Sequence, residues 1–153
     1  TPLDRDSIFI GEGTNINSSL QSNPIGGNSR TILCTRGTGE IRIGKRVGIS
    51  NSALVATESI TIGDDTNIGG GTVIYDTDFH SLRSVDRLSG DKRVKSASVI
   101  IGKRVFVGGH CIILKGSEIG DNAVIGAGSV VSGKIPANEI WAGNPARKIK
   151  DNI

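Results

Sequence analysis

The chain has 153 residues, room for one domain with a real core, and carries 22 glycines, no methionine, one tryptophan, one tyrosine and three phenylalanines. That composition excludes a core of packed aromatics, and a formal charge of +3 is too small to point to nucleic acid. No apolar run reaches the roughly 18 residues of a membrane span, no signal-peptide pattern opens the chain, and two cysteines make no disulfide framework; the cytoplasm is the expected location. The first residue is Thr1 rather than Met, so a missing N-terminal piece is expected.

In chain order, Ile10 and Ile16 stand six apart, Ile25 lies eighteen before Ile43, and residues 26–40 keep no clear step. From Ile43 the pattern sharpens: Ile43, Ile49 and Val55, then Ile62, Ile68 and Ile74. After a gap, Ile101, Val107, Ile113, Ile119, Ile125 and Val131 recur every six residues without a break. Four places after each comes Val105, Cys111, Ser117, Ala123, Ser129 or Ile135, mostly small, and glycine follows at Gly102, Gly108, Gly120 and Gly126.

A step of six is neither helical nor a simple strand alternation. It means a short strand and a turn, repeated, with one aliphatic per side pointing to a common axis. Three sides close a triangular coil of eighteen residues, and successive coils stack as parallel strands ~4.8 Å apart. Similar corners at Ile41–Gly44, Ile60–Gly63, Val99–Gly102 and Ile119–Gly120 fix the coil length. Ile43 to Ile62 is nineteen residues, Ile101 to Ile119 is eighteen, and Ile62 to Ile101 is thirty-nine. The excess of twenty-one, between Ile74 and Val99, is read as the one large departure from the repeat.

That insertion, about 75–98, opens with Asp76-Thr77-Asp78-Phe79-His80. It continues with Arg83, Arg87, Lys92, Arg93 and Lys95 against Asp86 and Asp91, a local excess equal to the net charge of the chain. A positive field of this kind favours an anionic ligand, and a solvated loop is the plain alternative. Beyond Pro136 the repeat stops. A cap, about 137–153, is expected to cover the last coil, because open strand edges invite aggregation, with Trp141 placed to seal the core.

The hexapeptide repeats, the histidine-bearing loop and Ala142-Gly143-Asn144-Pro145-Ala146-Arg147 together resemble the hexapeptide acyltransferases, and within them the maltose/galactoside and polysaccharide O-acetyltransferases. The likeness runs through nearly the whole chain, most strongly from Gly39 to Ile149. It implies a fold that is all-β, a left-handed parallel β-helix in one domain over 1–153, an exception to the right-handed crossover rule. It further implies a homotrimer with active sites between neighbouring copies, and acetyl-CoA as donor without a required metal.

Transfer to a hydroxyl needs a base that works near neutral pH, and imidazole supplies one. His80 is read as that base, and acetyl moves directly to the acceptor. Asp78, two residues earlier, is the candidate to orient the ring, with Asp76 competing and a turn-forming role open for both. The resemblance places the donor along Gly109, Ala127, Ser132 and Gly133, with Lys134, Arg147 and Lys150 as basic contacts. The repeat itself accounts for most of these small residues. Phe106 stands where many relatives have tryptophan, and Asn51 is the nearest polar residue to the acceptor-side asparagine of the sugar enzymes, whose ungapped match is Ile49. Cys111 takes the small inward position and is read as structural. His110 faces outward.

The leading expectation is therefore an acetyl-CoA-dependent O-acetyltransferase acting on a saccharide hydroxyl. Alternatives are N-acetylation of a nucleotide-linked amino sugar, a zinc carbonic anhydrase on the same scaffold, and a non-catalytic trimeric scaffold. A catalytic zinc wants three protein ligands, and the chain has two histidines.

Overall fold

The computed structural model describes residues 7–153; the reading of Thr1 lies outside the described residues. The first turn of the chain gives β1 (Ile8–Ile10), β2 (Asn15–Asn17) and β3 (Ile32–Thr35), the second β4 (Glu40–Ile43), β5 (Gly48–Ser50) and β6 (Ala53–Ala56). The third gives β7 (Ser59–Ile62), β8 (Asn67–Ile68) and β9 (Val73–Tyr75). The fourth gives β10 (Val99–Ile101), β11 (Phe106–Val107) and β12 (Ile112–Ile113). The fifth gives β13 (Glu118–Ile119), β14 (Val124–Ile125) and β15 (Val130–Val131). The chain closes with β16 (Lys134–Ile135), β17 (Glu139–Gly143) and β18 (Ala146–Asp151).

Strands are dealt in rotation to three parallel sheets. The six-stranded sheet runs β1-β4-β7-β10-β13-β16, the five-stranded β15-β12-β9-β6-β3, and the seven-stranded β18-β17-β14-β11-β8-β5-β2. The register reproduces the corner spacing read from the sequence: Ile41 pairs with Ile60, Ile62 with Ile101, and Ile101 with Ile119. The architecture is all-β with parallel sheets. The exception is β18, which folds back antiparallel on β17.

The inward aliphatics make one continuous core that includes Ile43, Ile49, Leu54, Ile62, Ile68, Ile74, Ile101, Val107, Ile113, Ile125 and Val131. Each fully buried aliphatic of this size contributes about 1.5–3 kcal/mol. The small fifth position has a second use. Thr66 donates its hydroxyl to the carbonyl of Gly102 at 2.8 Å and accepts the N–H of Val105 at 3.1 Å. Thr72 does the same for Gly108 and Cys111. A hydroxyl at the inner corner thus satisfies the turn of the next coil, which would otherwise bury unpaired backbone groups. Trp141 packs, partly buried, against this core.

The structure corrects one reading. Ile43 pairs with Ile10, thirty-three residues earlier, not with a counterpart at Ile25. A second insertion therefore separates β2 from β3, and the insertion after β9 is not the one large departure. Ile25 sits in a 3-10 turn (Pro24–Gly26) whose start is capped by Asn23, which accepts the Ile25 N–H at 2.9 Å. Its backbone passes so close to Asn51 and Gly70 that a Cβ on Gly26 would collide with the Asn51 side chain.

Candidate active site

The insertion after β9 is zipped at its root. Asp76 is fully buried and accepts the N–H groups of Thr57 and Glu58, each at 2.7 Å, while its own carbonyl accepts Ala97 N–H at 2.8 Å. Thr77 and Ser96 form an antiparallel bridge, and the Asp78 N–H donates to Lys95 at 3.0 Å. Asp76 is thus spent on the scaffold and is not free to orient His80.

Asp78 turns the other way as well. One oxygen pairs with Lys115 of the neighbouring coil at 2.7 Å, and the other is buried without a hydrogen-bond partner. Phe79 follows with φ +60, its ring 5.4 Å from that of Tyr75 and beneath the guanidinium of Arg36. This left-handed residue reverses the chain and swings His80 outward, where its side chain is 72% exposed.

The carboxylate that meets His80 is Asp91. It contacts Nδ1, and its second oxygen accepts the Ser81 N–H at 2.7 Å. The Ser81 N–H, and then His80, hold the Asp91 carboxyl below the ordinary aspartate range. An ionised carboxylate only accepts, so Nδ1 of His80 donates to Asp91 and Nε2 is the nitrogen left for another partner. Among the described residues Nε2 has no partner.

Asp91 is itself held from behind. The short helix α1 (Ser84–Leu88) buries Asp86, which takes Arg93 on one oxygen and Ser81 Oγ on the other at 3.2 Å, with Arg83 nearby. The Asp86 carbonyl accepts the Asp91 N–H at 2.8 Å, and Arg87 reaches the Ser81 carbonyl at 2.6 Å. Much of the basic excess is therefore absorbed in building the loop. Ser81, Arg83, Arg93 and Lys95 still line a cavity of about 310 Å³.

The other expected residues fall into separate places. Ser132, Lys134 and Arg147 meet in one cleft with Trp141 and Pro145, and that cleft does not include His80. Lys134 pairs with Glu118 at 3.0 Å, and Gly133 has φ +97. Lys150 is exposed on β18 opposite Ile140. Gly109 and Ala127 stand at another corner, where Gly128 donates to the Gly109 carbonyl at 2.9 Å. Ile25 lies over Gly109, close enough to touch a Cβ placed there at 3.1 Å.

Asn51 is no acceptor contact in this structure. Only 1% exposed, it donates to the carbonyls of Ser29 and Gly27 and pins the first insertion. Phe106 is 52% exposed on the outer face of the seven-stranded sheet. Cys111 is buried, its thiol 3.2 Å from the Gly126 carbonyl, and burial pushes that thiol up in pKa. Asp91 and Lys115 are the two site residues that periodicity did not reach; Gly90-Asp91 is a turn dipeptide, the only local sign of either.

Residues 98–133 match the family model described as bacterial transferase hexapeptide (six repeats). The chain is 37% identical over 121 residues to the putative lipopolysaccharide biosynthesis O-acetyl transferase WbbJ of Escherichia coli, covering 74% of this chain and 62% of that protein. Among solved structures it is similar to the S84C mutant of AntD, an N-acyltransferase from Bacillus cereus in complex with dTDP-4-amino-4,6-dideoxyglucose and coenzyme A. That match has a TM-score of 0.70 and 30% identity, over 94% of this chain and 83% of that one. It is also similar to a hexapeptide-repeat acetyltransferase of Vibrio cholerae complexed with acetyl coenzyme A, with a TM-score of 0.71 and 28% identity over 93% and 72% of the two chains. The chain spans 62%, 48% and 51% of the lengths of the first three curated relatives it matches.

Proposed function

Since the chain belongs to the hexapeptide-repeat transferase family, we propose that it is an acetyl-CoA-dependent O-acetyltransferase acting on a saccharide hydroxyl. The observation that carries this is His80. It stands outward on a braced insertion, with Nδ1 tied to Asp91 and Nε2 free. The O-acetyltransferase named among its relatives supports the choice of reaction and of a glycan acceptor.

In this reading Nε2 takes the proton of the acceptor hydroxyl as its oxygen attacks the thioester carbonyl. The new C–O bond forms, the tetrahedral centre collapses with cleavage of the C–S bond, and the leaving thiolate recovers the proton from the imidazolium. Asp91 holds the ring and balances its charge at the stage where it is protonated. It takes the orienting role expected of Asp78, whose carboxylate anchors the loop through Lys115.

We read the winding as left-handed and the whole of 1–153 as one domain, with the insertion at about 75–98 and the cap at about 137–153. Acetyl-CoA is expected along Gly109, Ala127, Ser132 and Gly133, its phosphates toward Lys134, Arg147 and Lys150. His80 and the cleft at Ser132, Lys134 and Arg147 lie apart within one chain, which supports a homotrimer whose sites are shared between copies. A cytoplasmic location goes with an acetyl-CoA donor.

Similarity to an N-acyltransferase favours a second reading with an amine acceptor. One experiment separates the two. Release of free CoA thiol is followed with a panel of sugars and acidic oligosaccharides, with His80→Ala alongside, and the product is treated with mild alkali. An ester is stripped and an amide survives. Turnover undiminished in His80→Ala, or none with any acceptor, would refute the transferase reading with His80 as base.

A further inference from the structure

We infer that the outer surface of the His80 insertion is a peripheral docking patch for an anionic lipid bilayer. Leu82, Val85 and Leu88 enter the interface, and Lys92 and Lys95 meet the headgroups. Leu82 is 75% exposed, Val85 58% and Leu88 89%. Short of the terminal Ile153, Leu88 and Leu82 are the most exposed large apolar side chains among the described residues. Val85 and Leu88 share a stripe of α1, and Leu82 precedes it by one more step of three.

The helix cannot roll to hide them. Asp86 is 3% exposed on its inner side, held by Arg93 and by Ser81 Oγ. The Asp86 carbonyl accepts the N–H groups of Ser89 and Asp91 at 3.2 and 2.8 Å. A turn braced in this way keeps its leucines in water until another apolar phase meets them.

Charge selects that phase. Residues 81–96 hold five basic and two acidic side chains, and pairing Arg93 with Asp86 leaves the surplus of three unchanged. Both acids are engaged within the loop, Asp86 in its interior and Asp91 on His80. Lys92 and Lys95 are exposed, with no ion-pair partner among the described residues. Leu82 lines one cavity of about 310 Å³ with Arg83, Arg93 and Lys95, so apolar and cationic groups adjoin. An anionic bilayer presents a negative plane over an apolar interior, and peripheral binding scales with the apolar area inserted plus attraction to the headgroups. An acidic glycan or a nucleic acid would use the cations and leave the leucines in water. A second copy meeting this patch with its own would set like charges face to face. The docking needs neither acetyl-CoA nor an acceptor, so it stands or falls apart from the transferase reading.

The test sediments the full chain with vesicles of phosphatidylcholine containing phosphatidylglycerol, and with vesicles of phosphatidylcholine alone. Partition into the anionic vesicles is expected, weakened by salt, with little into the neutral ones. Leu88→Ser should lower the partition coefficient about tenfold, and Lys92→Gln or Lys95→Gln about fivefold each. Lys103→Gln removes an exposed cation on the corner between β10 and β11 and should leave partition unchanged. Circular dichroism checks that each variant is folded. Absence of partition, partition indifferent to Leu88→Ser, or an equal loss in Lys103→Gln would overturn the patch. Release from the vesicles by millimolar glycerol phosphate would overturn it in favour of a small-anion site. An oligomeric state that changes in Leu88→Ser, by light scattering, in a chain that ignores vesicles would assign the face to a second copy instead.

Discussion

The ammonium of Lys115 lies 2.7 Å from one carboxylate oxygen of Asp78, and the other oxygen of that carboxylate is buried with no partner. The pair ties the root of the histidine-bearing insertion to the next coil. Lys115→Ala would strand a mostly buried charge, a change that falls between exposed pairs and fully buried ones at about 2 kcal/mol. Thermal unfolding should show this loss, and the double variant Lys115→Ala with Asp78→Asn should regain part of it.

His80→Ala should lower kcat by roughly 100-fold or more, the usual share of a general base. The thermal midpoint should hardly move, because the ring is largely exposed. Asp91→Asn keeps the shape and removes the charge. It should lower kcat while leaving the KM for acetyl-CoA near that of the parent chain, as steady-state thiol release would show.

The depressed pKa of Asp91 fixes the sign of a pH effect. A carboxylate favoured in the folded state stabilises above its unfolded pKa of about 3.9, and that contribution disappears as pH falls through the lower folded value. Protection of the Ser81 amide against hydrogen exchange should therefore persist at neutral pH and collapse below about pH 4, ahead of global unfolding. In Asp91→Asn the protection should be weak at every pH.

Gly63 stacks directly on the backbone of Gly102, whose carbonyl oxygen would lie 2.7 Å from a Cβ on Gly63. Nothing there can yield without parting two coils. Gly63→Ala should cost roughly 2–3 kcal/mol. Gly37, with φ +59 and nothing within 4 Å of a Cβ, meets only the conformational penalty, about 1 kcal/mol for the same substitution. Denaturant titration of the two variants would rank them.

Cys111 is buried, and burial raises its thiol pKa. A thiol in that state is a poor nucleophile. In the native protein Cys111 should resist alkylation at neutral pH, and Cys111→Ala should retain acetyl transfer, which would exclude an acyl-enzyme on this residue.

The coil corners were legible because the core repeats: Ile62, Ile101 and Ile119 stack at the spacings the sequence shows. The first insertion was not. Ile25 stands eighteen before Ile43 by coincidence, in a turn that Asn23 and Pro24 set locally. In the candidate site, the exposed loop position of His80 was legible from its place in an interruption of the repeat. Asp91 was not, because its contact across eleven residues depends on a knot around Asp86 that has no period. Asn51 reads in the sequence as the acceptor-side polar residue, and in the fold its amide donates to the Ser29 carbonyl of the first insertion and is buried there.

The rotation of strands through three sheets makes the chain a ruler graduated in coils. From β8, in the coil that launches the His80 insertion, the seven-stranded sheet reaches β18 and its Arg147 in four steps, roughly 19 Å at ~4.8 Å each. That separation changes only by whole graduations. Excising Ile101–Glu118 as one eighteen-residue coil would bring the two ends one mark closer and leave the stacking of every remaining coil in phase. The distance between the two ends is therefore set by counting coils, and no adjustment of a single side chain can substitute for a missing mark.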